Sequence, residues 1–183
     1  MKKLFIPLTF LFGVAQAQID LSINPISLLF KNIDLSADFG LKDDISLDAS
    51  LGFDFTDYTI DDVTVKNNGI GVRLIGKYYF SPSRGCDRWA IGPYLKYVNR
   101  KGTYDDGVDK YVAKYQKFAI GFYTAYKFVS RRNITFEIGL GLGRALLSEY
   151  SSDDSSVDFA DYPLFNIDVI GRLGIGYRFG GEK

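Results

Sequence analysis

The chain has no histidine, one cysteine and one tryptophan in 183 residues, and its 22 basic side chains are matched by 22 acidic ones. Without histidine it cannot build a Ser-His-Asp triad, a Cys-His pair or an imidazole-ligated metal site. With one cysteine it has no internal disulfide and no thiolate zinc cluster. The absent basic excess argues against a general nucleic-acid binder. Beyond the N-terminus, the sequence contains no run of apolar residues long enough for a membrane-spanning helix. Apolar side chains nevertheless make up 46% of it, too many for a disordered chain, and the length suits one domain.

The N-terminus reads as an export signal. Lys2 and Lys3 precede an apolar run from Leu4 to Val14, followed by Ala15-Gln16-Ala17. A positive start, a short apolar stretch and small residues at the cleavage positions are the three parts of a signal peptide. Residues 1–17 are therefore assigned to it, and 18–183 to the mature domain. No cysteine stands at the cleavage point to carry a lipid anchor.

What remains alternates with period two, the mark of strands with two unlike faces. Ile45-Ser46-Leu47-Asp48-Ala49-Ser50-Leu51-Gly52-Phe53-Asp54-Phe55 keeps the pattern for its whole length, and Ile134 to Leu142 repeats it. Turn signals divide the chain into eight expected strands: 19–29, 33–42, 45–56, 69–80, 89–100, 114–128, 133–147 and 163–179. The connections at 43–44, 81–88 and 130–132 are compact, whereas 57–68, 101–113 and 148–162 read as long, acidic loops. Short turns at one end and long loops at the other are the asymmetry of an outer-membrane barrel. The expected fold is all-β: an eight-stranded antiparallel up-and-down transmembrane β-barrel.

Alternation alone leaves the sense of the barrel open. A membrane barrel turns its apolar face to lipid, whereas a soluble lipocalin-like barrel turns it inward onto an apolar ligand. Two features favour the membrane sense. The polar face is rich in glycine, including Gly52, Gly92, Gly121, Gly139 and Gly141, and small residues relieve crowding in a narrow lumen. Apolar-face aromatics such as Phe53, Phe55, Tyr78, Phe80, Trp89, Tyr97 and Phe128 fall near strand ends, where membrane barrels carry their girdles. In this sense seven acids point inward: Asp20, Asp34, Asp38, Asp48, Asp54, Glu137 and Asp168. Eight bases join them: Arg73, Lys77, Lys96, Arg100, Lys117, Lys127, Arg172 and Arg178. Unpaired charge is costly there, so heights along neighbouring strands suggest the ion pairs Asp48–Lys77, Asp54–Arg73 and Asp20–Arg178. The same charges invite a second reading as a narrow transport or ion pore.

The last strand ends Arg172-Leu173-Gly174-Ile175-Gly176-Tyr177-Arg178-Phe179. This resembles the C-terminal assembly signal of bacterial outer-membrane proteins, with Arg172, Gly174, Tyr177 and Phe179 in its four slots. It departs from that pattern in the tail Gly180–Lys183, since many such proteins stop at the aromatic. The mature chain resembles small outer-membrane barrels of the OmpA/OmpX-like class. The stretch from Leu21 to Ser36 resembles uncharacterised barrels of Bacteroidetes-type bacteria. These resemblances imply an outer-membrane location, contact with its lipid and lipopolysaccharide, and delivery by the outer-membrane assembly machinery. They imply no single activity and name no surface partner. The lipid A acyl-modifying enzymes and surface proteases among such barrels rely on histidine, so an enzyme of those types is excluded.

Other motifs carry little. Gly139-Leu140-Gly141-Leu142-Gly143 lacks the Lys-Ser/Thr that follows a phosphate-binding loop, and it lies inside an alternating run. The oxygen-rich stretch Ser151 to Asp158 has no defined calcium-loop spacing. Cys86 lies in a turn between Arg84 and Arg88, where a depressed pKa is the functional alternative to an inert thiol. The sequence therefore points to no catalytic residue, no metal and no cofactor.

Overall fold

The computed structural model describes residues 18–60, 63–105, 110–152 and 166–180. The expected signal peptide, 1–17, lies outside them, as does the acidic stretch from Asp153 onward. The strands are β1 (Ile19–Ile23), β2 (Asn32–Lys42), β3 (Ile45–Ile60), β4 (Val63–Phe80), β5 (Arg88–Asp105), β6 (Lys110–Val129), β7 (Ile134–Ser152) and β8 (Ile167–Phe179). Each pairs antiparallel with its neighbours in sequence, and β8 returns to β1 to close the barrel. Closure runs from Ile19 opposite Phe179 to Ile23 opposite Ile175.

The barrel takes the membrane sense of the alternation. Leu47, Leu51, Phe53, Leu74, Ile91, Leu95, Leu140 and Val169 stand exposed on the outside, while Asp48, Lys77, Glu137 and Arg172 are buried within. A soluble barrel holding an apolar ligand would need the opposite arrangement. Aromatics gather near the short-turn end of the outer wall. There Tyr78 meets Phe80 edge-on at 5.2 Å and Tyr177 meets Phe179 at 4.9 Å, with Trp89 and Tyr126 at 6.1 Å.

Two expectations about the strands need correction. The first strand does not run to residue 29. It ends at Ile23, and Pro25–Leu29 form a short helix, α1. Pro25 has no N–H to give a ladder, and its fixed φ suits the first turn of a helix. Asn24 is extended and its carbonyl accepts the Ser27 N–H at 3.2 Å and the Ser27 hydroxyl at 2.6 Å.

The second correction concerns the long loops. Residues 57–60 and 63–68 are paired strand, with β3 and β4 in register up to Ile60 opposite Val63. β5 and β6 likewise stay paired up to Asp105 opposite Lys110, and β7 runs to Ser152. Runs such as Tyr58-Thr59-Ile60 and Val63-Thr64-Val65 favour strand by β-branching and aromaticity. Polar residues interspersed in these runs do not break the ladder. β6 has 20 residues and β7 has 19, about twice the span of roughly 9–11 residues that crosses a bilayer. β1, with 5 residues, is the low point of the wall.

Glycines make room for two of the three tyrosines inside. Tyr79, Tyr94 and Tyr123 are fully buried in the lumen. A Cβ added at Gly139 would meet the Tyr123 hydroxyl and Cζ, and one at Gly143 would meet the Tyr94 hydroxyl. The glycine run of β7 is thus the bed on which two rings lie. Replacing Gly139 by Ala is expected to cost about 1–3 kcal/mol through overpacking. In a Tyr123→Ala background the same change should cost clearly less, with the Ala125 methyl as the remaining close contact. A double-mutant cycle of unfolding midpoints in lipid vesicles checks this; equal costs in both backgrounds would refute the ring–glycine fit.

Candidate functional site

The chemistry of this chain is concentrated in its lumen, where charged side chains from every strand converge. In the half nearer the short turns, four acids face four bases. Lys77 Nζ donates to Asp38 at 3.1 Å, to Asp48 at 3.0 Å and to Glu137 at 2.8 Å. Lys127 Nζ donates to Asp20 at 2.9 Å and to Asp38 at 2.5 Å. Arg172 donates to Asp48 at 2.7 Å and also to the Ser22 and Ser36 hydroxyls. Arg178 grips both oxygens of Asp20, at 2.6 and 2.8 Å. Tyr79 donates to Asp38 at 3.0 Å and Tyr123 to Glu137 at 2.9 Å. Every one of these charged groups is buried.

A floor closes this half. The turn 81–87 folds across the barrel end, held by Asp87, whose carboxylate accepts the Ser83 N–H at 2.6 Å and its hydroxyl at 2.9 Å. Arg178 donates to the carbonyls of Arg84, Gly85 and Cys86 from inside. Cys86 N–H donates to Asp43 O at 2.6 Å, and its thiol to Lys42 O at 3.2 Å. Burial pushes the Cys86 thiol up to about 12, with Asp38 adding to the rise. The flanking arginines therefore do not activate it, and the reactive-thiol alternative is set aside.

The half nearer the long strands is more open. Arg73 Nη2 meets Asp34 at 3.2 Å, and Arg100 Nε meets Asp54 at 2.5 Å. Asp168 Oδ1 takes two ammonium groups, Lys96 at 3.0 Å and Lys117 at 3.1 Å, while Tyr94 donates to its Oδ2 at 2.8 Å. Among the described residues this half sets three acids against four bases, one positive charge in excess. A cavity of about 830 Å³ lies here, lined by Asp34, Asp54, Arg73, Lys96 and Arg100.

Of the three ion pairs expected from the sequence, the structure brings together Asp48 with Lys77 and Asp20 with Arg178. It does not bring together Asp54 and Arg73. Arg73 stands opposite Ser50, four residues down the strand from Asp54, about 14 Å at the usual strand rise. Asp54 instead faces Arg100 across Gly69, and Arg73 reaches Asp34 past Gly52 and Gly71. Heights counted from the turns do not capture this, because glycines let a side chain reach over an intervening strand. Nor are the pairs separate, since Asp38, Glu137 and Lys127 bind them into one cluster. The buried tyrosines escape a reading that looks for aromatics on the outer face alone. Their inward parity at positions 79, 94 and 123 is the available signal.

In the C-terminal segment Tyr177 and Phe179 stand on the outer wall, while Arg172 and Gly174 are buried inside. Arg172 thus belongs to the central cluster as well as to the assembly-signal pattern.

A family model described as a protein of unknown function (DUF3575) matches residues 3–160. A comparison with curated proteins finds no match. Among solved structures, a crystal structure of a major outer membrane protein from Thermus thermophilus is similar. Its TM-score is 0.51 at 15% sequence identity, covering 89% of this chain and 97% of that one. Likeness at that identity speaks for a common fold.

Two outcomes follow from the geometry. Lys77→Met leaves Asp38, Asp48 and Glu137 short of one buried partner and should cost about 3–5 kcal/mol. Arg100→Gln, at a side chain 43% exposed, should cost no more than about 1 kcal/mol. Urea unfolding midpoints in vesicles check the contrast; equal losses would refute it. In the folded protein, maleimide labelling of Cys86 should stay slow from about pH 7 to pH 9, because a thiol raised above its usual range remains protonated there. It should become fast on unfolding. Rapid labelling of the folded chain at the upper end of that range would show an accessible thiolate.

Proposed function

The chain belongs to the family described as DUF3575, and we propose that it is an integral outer-membrane barrel that conducts nothing and carries its role on the ends of β3 to β7. One observation carries this reading: a balanced, buried cluster of four acids and four bases, sealed by the turn 81–87, blocks the lumen beneath an apolar outer wall. The eight-strand count, the aromatic girdle and the similarity to a major outer membrane protein support the location and the OmpA/OmpX-like resemblance. Lys2 to Ala17 supports signal-peptide export. Arg172, Gly174, Tyr177 and Phe179 would present the chain to the assembly machinery, and outer-membrane lipid and lipopolysaccharide would surround it.

The role is non-enzymatic and structural or surface-interacting. The extensions of β3 to β7 exceed what a bilayer needs, so they stand beyond it as a paired wall. In planar bilayers the purified protein should give no stable unit conductance, while its unheated band migrates ahead of the boiled one. Proteolysis of intact cells should cut at the ends of β3 to β7 and spare the turns 43–44, 81–87 and 130–133. A stable conductance would establish the pore reading in its place. A protein that stays soluble without detergent would remove the membrane reading altogether.

A further inference from the structure

Among the described residues, the wall of this barrel is incomplete on one side. β1 pairs with β8 only between two limits, Ile19 opposite Phe179 and Ile23 opposite Ile175. Above that, Ile167 to Gly174 of β8 have a strand partner on the β7 side and, among the described residues, none on the other. Backbone groups on a strand edge alternate in direction. Leu173 N–H points to the open side, where Asn24 Oδ1 accepts it at 3.4 Å, and Ile167 O is reached by Lys117 Nζ at 3.0 Å. By the same alternation, Val169 and Gly171 turn their backbone groups into the gap between these two caps. A polar edge facing lipid is costly.

The 830 Å³ cavity passes through this gap. Its lining joins the lumen groups Arg73 and Lys96 to the outer-wall side chains Leu140 and Val169, with Ile26 of α1 and Phe30 just after it on the other bank. The outer part is strongly apolar, with Phe30 70% exposed. Gly171 forms a notch in it, since a Cβ there would meet nothing within 4 Å. Among the described residues, the inner part carries one positive charge in excess, and Arg73 Nε is buried with no hydrogen-bond partner.

We infer that this slot is a binding site for a single-chain anionic amphiphile, its head against Arg73 and Lys96 and its alkyl chain lying over Gly171 between α1 and β7. A carboxylate or phosphate head supplies acceptors for the spare arginine donor and the surplus ammonium charge. An alkyl chain matches the apolar outer bank, and the bilayer delivers it sideways. A neutral sugar or a peptide would satisfy neither the charge nor the lipid-facing groove. The inference rests on the membrane placement proposed above.

The test uses the full-length protein in a neutral detergent, with a sixteen-carbon carboxylate bearing a photoreactive diazirine on its chain. Crosslinks should fall on residues 24–30 and 166–173. Gly171→Phe fills the notch without touching a charge and should lower that crosslinking at least tenfold. Gly76→Phe, at an outward glycine of β4 that also has open space beside its Cβ, should leave it unchanged. The alkyl phosphate and the alkyl alcohol of equal length are run beside the carboxylate. Preference for phosphate assigns a phospholipid-derived head, and preference for carboxylate a free fatty acid. Alcohol crosslinking equal to both anions would overturn the charge argument, and equal loss in both phenylalanine variants would overturn the slot. Crosslinks spread around the wall would do the same. Heat-modifiable migration of the same samples separates these failures from loss of the barrel itself.

Discussion

An eight-stranded barrel encloses a space just wide enough for side chains, and everything else about this chain follows from filling it with charge. No inward carboxylate can rely on bulk water, so each must find a cation across the lumen. Lys77 meets three carboxylates at once, and Asp38 is shared by Lys77, Lys127 and Tyr79. Such clusters are poor contributors to net stability, because the cost of desolvation offsets most of the attraction. Their value lies in what they forbid. Asp20–Arg178, Asp48–Arg172 and Asp38–Lys127 tie the first three strands to the sixth and eighth. A slip of one residue in any ladder would turn these charges outward, into an apolar belt that cannot hold them. The cluster thus selects one register among many that hydrogen bonding alone would accept.

Glycine and tyrosine complete the packing where charge does not. Charged side chains point inward from every strand, and β5 to β7 add glycines on β7 and rings from β5 and β6. Tyr94 and Tyr123 lie flat enough to reach Asp168 and Glu137 with their hydroxyls because Gly139, Gly141 and Gly143 offer no side chains. The rings fill volume that would otherwise hold water, and their hydroxyls give the carboxylates donors beyond those the cations supply. Packing and polar satisfaction are therefore one arrangement here, not two.

Much of this is legible in the sequence because the period-two signal is strict. Strand count follows from turn signals between the alternating runs, and the inward set of seven acids and eight bases from parity. Partners are harder to read, since parity gives the face and not the height. Asp20 and Arg178 are direct opposites across the closing ladder, so counting from the chain ends suffices. Asp54 and Arg73 are not, and glycines at 52, 69 and 71 redirect both. Strand length is obscured for a different reason. The polar residues at 57–60, 63–68, 101–105 and 110–113 keep their ladder, so polarity there does not mark a loop. Pro25 carries the opposite lesson, because an Asn-Pro step after Ile23 marks the end of β1 more clearly than the apolar residues beyond it suggest.

The division of charge along the axis decides where variation is tolerated. Below, four acids and four bases are interlinked, with Asp38 Oδ1 and Asp48 Oδ1 left without a hydrogen-bond partner among the described residues, and the turn 81–87 is bound to them through Arg178. Any change there disturbs several partners and the closing ladder together. Above, three acids hold four bases, one guanidinium nitrogen lacks an acceptor among the described residues, and the wall is lowest beside the shortest strand. That half keeps unspent attraction for an anion and a route by which one can enter from the side. A barrel built this way is locked at one end in order to be adaptable at the other. The low wall at that upper end begins at an early proline, which follows a β1 of five residues.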